Sequence, residues 1–232
     1  MDVTFRDRAV RLGETLVVAD LHLGKGAASA VEFPLGADAD VVGRFEDLLE
    51  RFDPAEVVLA GDVLHSFDYV PDGVAETVGS LTDAARDAGA RPVMIEGNHD
   101  TMLGSVWSGR VHDEYRVDAD GTDVLVCHGH EEPDGTAERY VIGHDHPMIE
   151  IEGRKRPCLL DGRGVYRESD VLVVPPFNRL VEGVSVNGRI GAARPHLSPL
   201  VTRVAQFRPL VYDETADETL EFPPLGQFDR ML

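Results

Sequence analysis

TLVVAD (15–20) is the stretch from which the rest of the chain can be read. Leu16 to Ala19 form a short apolar run, rich in β-branched residues, that ends in a carboxylate. That length and those bounding residues favour a buried strand. Further along, EVVLAGD (56–62) and RPVMIEGNHD (91–100) repeat the plan, each an apolar strand running into a polar end. Between the first two strands, Val41, Val42, Phe45, Leu48, Leu49 and Phe52 recur at a 3.6-residue period. This predicts an amphipathic helix over 38–52 that Pro54 ends. Between the second and third, Val74, Val78, Leu81, Ala85 and Ala88 form another helical stripe, closed by Gly89. The order is β-α-β-α-β. Open α/β sheets bind ligands at the carboxyl ends of their strands, so the polar ends are expected to converge.

After residue 110 the texture changes. DVLVCHG (123–129), ERYVIGHDH (138–146), MIEIEG (148–153), PCLLDG (157–162) and DVLVVPPF (170–177) follow closely, separated by turns rich in Gly, Asp and Pro. They predict an antiparallel-rich second sheet. The expected fold class is α/β, a four-layer αββα sandwich with two central mixed β-sheets flanked by helices. Its 232 residues suffice for one sizeable core, so a single domain over 1–232 is expected. The motif-bearing part runs from about 15 to 177. PLVY (209–212) and PLGQFDRML (224–232) are read as parts of a peripheral C-terminal extension, 178–232.

The net charge is −20, from 42 Asp plus Glu against 22 Lys plus Arg, and Lys25 and Lys155 are the only lysines. An acidic, lysine-poor surface stays hydrated in very high salt, where screening shortens self-repulsion to about 3 Å. This is read as adaptation to a halophilic, archaeal-type cytoplasm. Acidity ordinarily argues against nucleic acid, but in high salt counterion release contributes little anyway. The N-terminus has no apolar core of a signal peptide, and no window reaches about 18 apolar residues, so a cytoplasmic protein away from membranes is expected. Cys127 and Cys158 make neither a disulfide framework nor a metal-type CxxC pair. Cys127 is expected to point into the core.

The chemistry sits in five short blocks, DLH, GD, GNHD, CHGH and GHDH. Their metal-capable side chains are Asp20, His22, Asp62, Asn98, His128, His144 and His146, enough for two ions if one carboxylate bridges. Residues i and i+2 of a strand point to one side, so Asp20 and His22 can share an ion, as can His144 and His146. The glycine before Asp62 permits close backbone approach. The carboxamide of Asn98 completes a shell without overcharging it, and His99 beside it is free to act as a general acid. His130 and Asp100 are placed near the ligands or the substrate. Lys25, Arg110, Arg139 and Trp107 are candidate substrate contacts. Each block alone is weak; their joint order at strand ends is not a coincidence.

The order DxH, GD, GNH, HGH, GHxH resembles the calcineurin-like metallophosphoesterase superfamily over residues 15 to about 177. DLHLGKG, GDVLHSF and PPFNRLVEG (175–183) are most similar to archaeal SbcD-related phosphoesterases and to bacterial DNA ligase-associated phosphoesterases. The resemblance implies that Asp20, His22 and His146 hold one divalent ion. It gives Asn98, His128 and His144 to the other ion, Asp62 to both, and His99 to the scissile phosphate as proton donor. Many members carry GDxxDR, whose second Asp orients the catalytic histidine. Here His65 stands at that place, so the orientation of His99 is left open.

The implied reaction is hydrolysis of a phosphoester by two ions about 3.5–4 Å apart, with in-line attack by hydroxide and protonation of the leaving oxygen by His99. Nitrogen and oxygen donors without thiolate suit Mn, Fe, Zn or Co over a Cys-type structural zinc, and Mn is the ion expected in assays. The expected substrate is a phosphodiester in DNA, RNA or a nucleotide, with protein partners unspecified. A phosphomonoesterase is the alternative within enzymes, and a non-catalytic binding module on the same fold is the alternative outside them.

Overall fold

Strand alternation sorts the apolar side chains into three layers. In the computed structural model, residues 3–28, 37–187 and 198–228 are described. The first sheet is six-stranded in sequence order: β1 (Val3–Arg6), β2 (Ala9–Leu12), β3 (Thr15–Val18), β4 (Glu56–Ala60), β5 (Arg91–Ile95) and β6 (Val111–His112). β3 to β6 run parallel, and β1 and β2 add an antiparallel hairpin. Helices α2 (Ala37–Phe52) and α3 (Val74–Asp87) connect the parallel strands, after a one-turn α1 (Lys25–Ala28). In β4, Val57 and Leu59 join the core beneath α2 and α3, with Val41, Phe45, Leu48, Val78 and Leu81. Val58 and Ala60 face the second sheet. Each such large side chain taken fully from water contributes about 1.5–3 kcal/mol.

The second sheet has seven strands in the order β16-β15-β12-β13-β9-β8-β7. These are β7 (Glu114–Ala119), β8 (Thr122–Cys127), β9 (Arg139–Ile142), β12 (Leu159–Tyr166), β13 (Ser169–Val173), β15 (Arg208–Asp213) and β16 (Glu218–Glu221). It is mixed: β8, β9 and β13 are parallel neighbours and the other pairings are antiparallel. Val124, Val126, Val141 and Leu172 pack against the first sheet, while Leu125, Tyr140, Ile142 and Val171 face outward.

The outward face is covered by little helix among the described residues. One turn, α4 (Leu225–Phe228), and a small third sheet lie there, contributing Leu225, Ile149 and Val186 to that core. The small sheet consists of β10 (Pro147–Ile151), β11 (Arg154–Pro157) and β14 (Val184–Ser185). MIEIEG thus leaves the second sheet, in which it was expected, and pairs with RKRP across a Glu152-Gly153 turn with positive φ. PLVY lies in β15, hydrogen-bonded to β12, and residues 229–232 lie outside the described residues. No helix among the described residues is long and apolar enough to cross a membrane.

The parallel strands carry their carboxyl ends to one edge. There the two sheets approach each other, and Phe177 N–H donates to Ala19 O at 2.8 Å. A Cβ at Gly143 would press on Ala19 and on the Asp20 carboxylate.

Candidate metal centre

Asp20 and His22 lie beyond the end of β3, in left-handed backbone with φ of 54° and 42°. The i, i+2 rule of an extended strand therefore does not bring them together. A parallel bridge to the next loop does: His22 N–H donates to Asp62 O at 2.8 Å and Asp20 N–H to Gly61 O at 3.1 Å. Asp62, His144 and His146 share the left-handed conformation, with φ of 49°, 66° and 46°. Such backbone is uncommon for non-glycine residues and costs of order 1–3 kcal/mol each. The chain has the same backbone at turns such as Asp7-Arg8 and Glu152, but here five donor residues adopt it at one sheet edge. Gly97 serves it by absence: a Cβ there would overlap the Asp62 backbone nitrogen and carboxylate.

The side chains converge. His22 Nε2 lies 3.4 Å from His146 Nε2, and His146 Nε2 lies 3.3 Å from Asp20 Oδ1. His128 Nε2 lies 3.1 Å from Asn98 Oδ1. Asp62 stands between the two groups, with Oδ2 3.6 Å from His22 Nε2 and Oδ1 3.4 Å from His128 Nε2. His144 and His146 were expected to face one side together. Instead His146 joins Asp20 and His22, while the His144 ring lies 5.1 Å from that of His128. The His144 N–H caps the Asp20 carboxylate at 3.1 Å.

The electrostatics suit a cation. Asp20 and Asp62 are buried, and among the described residues neither pairs with Lys or Arg. Burial, reinforced by the Asp20 carboxylate, pushes Asp62 up to about 8. Burial opposes ionisation of Asp20 as well, but the neighbouring imidazoles, His146 foremost with His128 and His22, together outweigh it and hold that carboxyl low. Burial drives His22 down to about 3 and His128 down to about 4, which keeps both rings neutral, the form that binds metal. Two buried carboxylates, neutral imidazoles and a carboxamide form a donor set that fits divalent ions.

His99 lies beside this cluster. Its Nδ1 donates to the main-chain oxygen of His65 at 2.7 Å, which leaves Nε2 directed inward, 4.0 Å from Asp62 Oδ2. The residue in the place of the expected orienting carboxylate thus acts through its backbone. Asp100 is buried. Its carboxylate accepts N–H bonds from Val63, Leu64 and Gly97, strapping the GD and GNHD loops together, and burial raises it to about 6. His130 is exposed at the rim, its ring 5.3 Å from that of His128.

Two of the candidate substrate contacts have partners within the fold. Arg139 is buried and paired with Asp170 at the amino end of β9, and the partly buried Trp107 packs on the helix-side core. Arg110 is exposed and Lys25 is partly buried. One functional contact escaped the sequence reading. Asn178 is buried, and its Nδ2 donates to Leu21 O at 2.8 Å, fixing the DLH loop from the chain's other half.

Clustered His, Asp and Asn donors at the strand ends of an α/β sandwich define a metal-dependent hydrolase. Residues 14–180 match the model of the calcineurin-like phosphoesterases, and the chain belongs to that family. The fold is similar to that of the Pseudomonas putida nuclease MPE, with a TM-score of 0.62 and 22% identity over 93% of this chain and 92% of that one. It is also similar to the Escherichia coli phosphoesterase YfcE, with a TM-score of 0.50 and 14% identity over 90% of this chain and 98% of that one. No curated protein matches in sequence.

Proposed function

We propose that the protein is a two-ion phosphodiesterase acting on nucleic acid or nucleotides. In this reading Asp20, His22 and His146 hold one ion, Asn98, His128 and His144 the other, and Asp62 both. The observation that carries it is the division of the Asp62 carboxylate, one oxygen toward His22 and the other toward His128. Mn is the ion we expect, with Fe, Zn or Co able to use the same nitrogen and oxygen donors. When bound, two such ions withdraw charge from phosphoryl oxygens and acidify water. The chain's own residues do the rest. Asp62 fixes the spacing of the two donor groups. His99, held through Nδ1, presents Nε2 to the leaving oxygen and protonates it.

A diester is favoured over a monoester by charge. A groove of about 550 Å³ beside Asn98 and His128 is lined by Glu96, Asp113, Glu114, Glu131, Glu132 and Asp134. A singly charged diester is repelled less by that wall than a doubly charged monoester. The fold-similar MPE protein is a nuclease by name, which agrees with this choice. The test compares bis-p-nitrophenyl phosphate with p-nitrophenyl phosphate, with Mn, at low ionic strength where the acidic wall is unscreened and again in molar KCl. The diester should be the better substrate, and Asp62→Ala should abolish its turnover. Undiminished diester cleavage by Asp62→Ala, after chelation and metal repletion, would sink the mechanism.

A further inference from the structure

Phe67 and Tyr69 are among the few large apolar side chains left in water, 50% and 52% exposed. Both lie on the loop that follows the GD turn, and Phe67 reaches His99 beside the metal centre. The Phe67 ring centroid is 4.0 Å from that of His99, tilted by 31°, and the His65 ring lies nearly parallel to His99 at 6.0 Å. The loop is pinned at three points: His65 N–H donates to Leu23 O at 3.1 Å, His65 O accepts from His99, and Phe67 O accepts from the Thr101 hydroxyl. The ring is thus held out by hydrogen bonds and rests on the proposed proton donor. A group attached to an oxygen that His99 protonates would come within reach of this ring. The acidic groove beside Asn98 and His128 offers no grip on a run of phosphates.

We propose that Phe67 is the stacking platform for the base of the nucleoside on the leaving-group side of the scissile phosphate. The substrate class is then an unpaired nucleotide, read by its base rather than by a charged backbone track. Stacking of a base on an aromatic ring needs no charge and persists where salt screens phosphate contacts. The inference rests on the phosphodiesterase reading and on the role given there to His99.

Calorimetric titration of the metal-loaded protein in molar KCl, with adenosine 5′-monophosphate and with ribose 5-phosphate, tests it. The two ligands share sugar and phosphate and differ in the base. The nucleotide should bind about tenfold tighter. Phe67→Ala should bring the ratio of the two Kd values close to one, and Phe67→Trp should preserve it. If Phe67→Ala does not fold, Phe67→Leu, apolar but without a π face, must lower the ratio in its place. A wild-type ratio near one, or a ratio that these truncations leave unmoved, overturns the platform. Because the readout is binding, absence of diester turnover in the wild type would defeat the hydrolytic reading separately.

Discussion

His99 is oriented by an uncharged acceptor. The His65 carbonyl fixes Nδ1 as the donor and aims Nε2 at the centre, without the pull that a carboxylate would exert on the imidazolium. Its ring lies within ligand reach of His22 and His65 but outside the groupings around Asp20 and Asp62 that fit an ion, and its N–H donates to Asp62 Oδ1 at 2.9 Å, a main-chain contact. Loss of the side chain should therefore separate chemistry from metal binding. His99→Ala is expected to keep the metal content of the wild type, measured by elemental analysis, while kcat on the diester falls roughly 10²–10⁴-fold. Wild-type kcat in that variant would remove His99 from the mechanism. Loss of the metal instead would make it a structural support of Asp62.

At the scale of elements, PPFN (175–178) is a clasp. Phe177 N–H bonds Ala19 O, Asn178 Nδ2 bonds Leu21 O, and Arg8 and Arg44 donate to the carbonyls of Pro176, Phe177 and Asn178. It closes the second sheet onto the strained loop carrying Asp20 and His22. Asn178→Leu leaves the Leu21 carbonyl without that donor at a cost of about 1–3 kcal/mol. For a chain of this size the melting temperature should fall by roughly 2–10 °C. Weaker metal retention on dialysis should accompany it, because the DLH loop is freed. An unchanged melting temperature would show that the clasp contributes nothing. The strands β3 to β5 and the helices α2 and α3 were legible in the sequence because period-2 and period-3.6 patterns are local. The β1–β2 hairpin was not, since its Asp7-Arg8 turn adopts φ of 42° and 65° without an Asn-Gly signal. Donor identities were legible from their blocks, but their grouping was not. It depends on left-handed loops and on contacts such as Asn178 to Leu21, 157 residues apart.

The whole molecule carries its charge of −20 on a surface already laced with ion pairs. Arg86–Asp83, Arg116–Asp123 and Arg167–Glu132 are exposed, whereas Arg44–Asp7 and Arg139–Asp170 are shielded on the arginine side. Salt acts on these in opposite directions. It weakens the exposed pairs, each of which contributes little in water, and leaves the shielded ones largely intact. It also screens the repulsion among the excess acidic groups, a term summed over the entire surface and present wherever carboxylates outnumber arginines. The excess of 20 negative charges has no cationic counterpart on the chain, so its screening should dominate and stability should rise with salt. We propose that the chain is built for a salt-rich interior, and expect its melting temperature to increase by several degrees, about 5 °C or more, between 0.1 and 2 M KCl. Replacing KCl by an equal osmolality of sucrose should give a smaller rise, because sucrose strengthens burial without screening charge. A melting temperature that stays level or falls with KCl would show that the acidic excess serves another end, such as exclusion of polyanions.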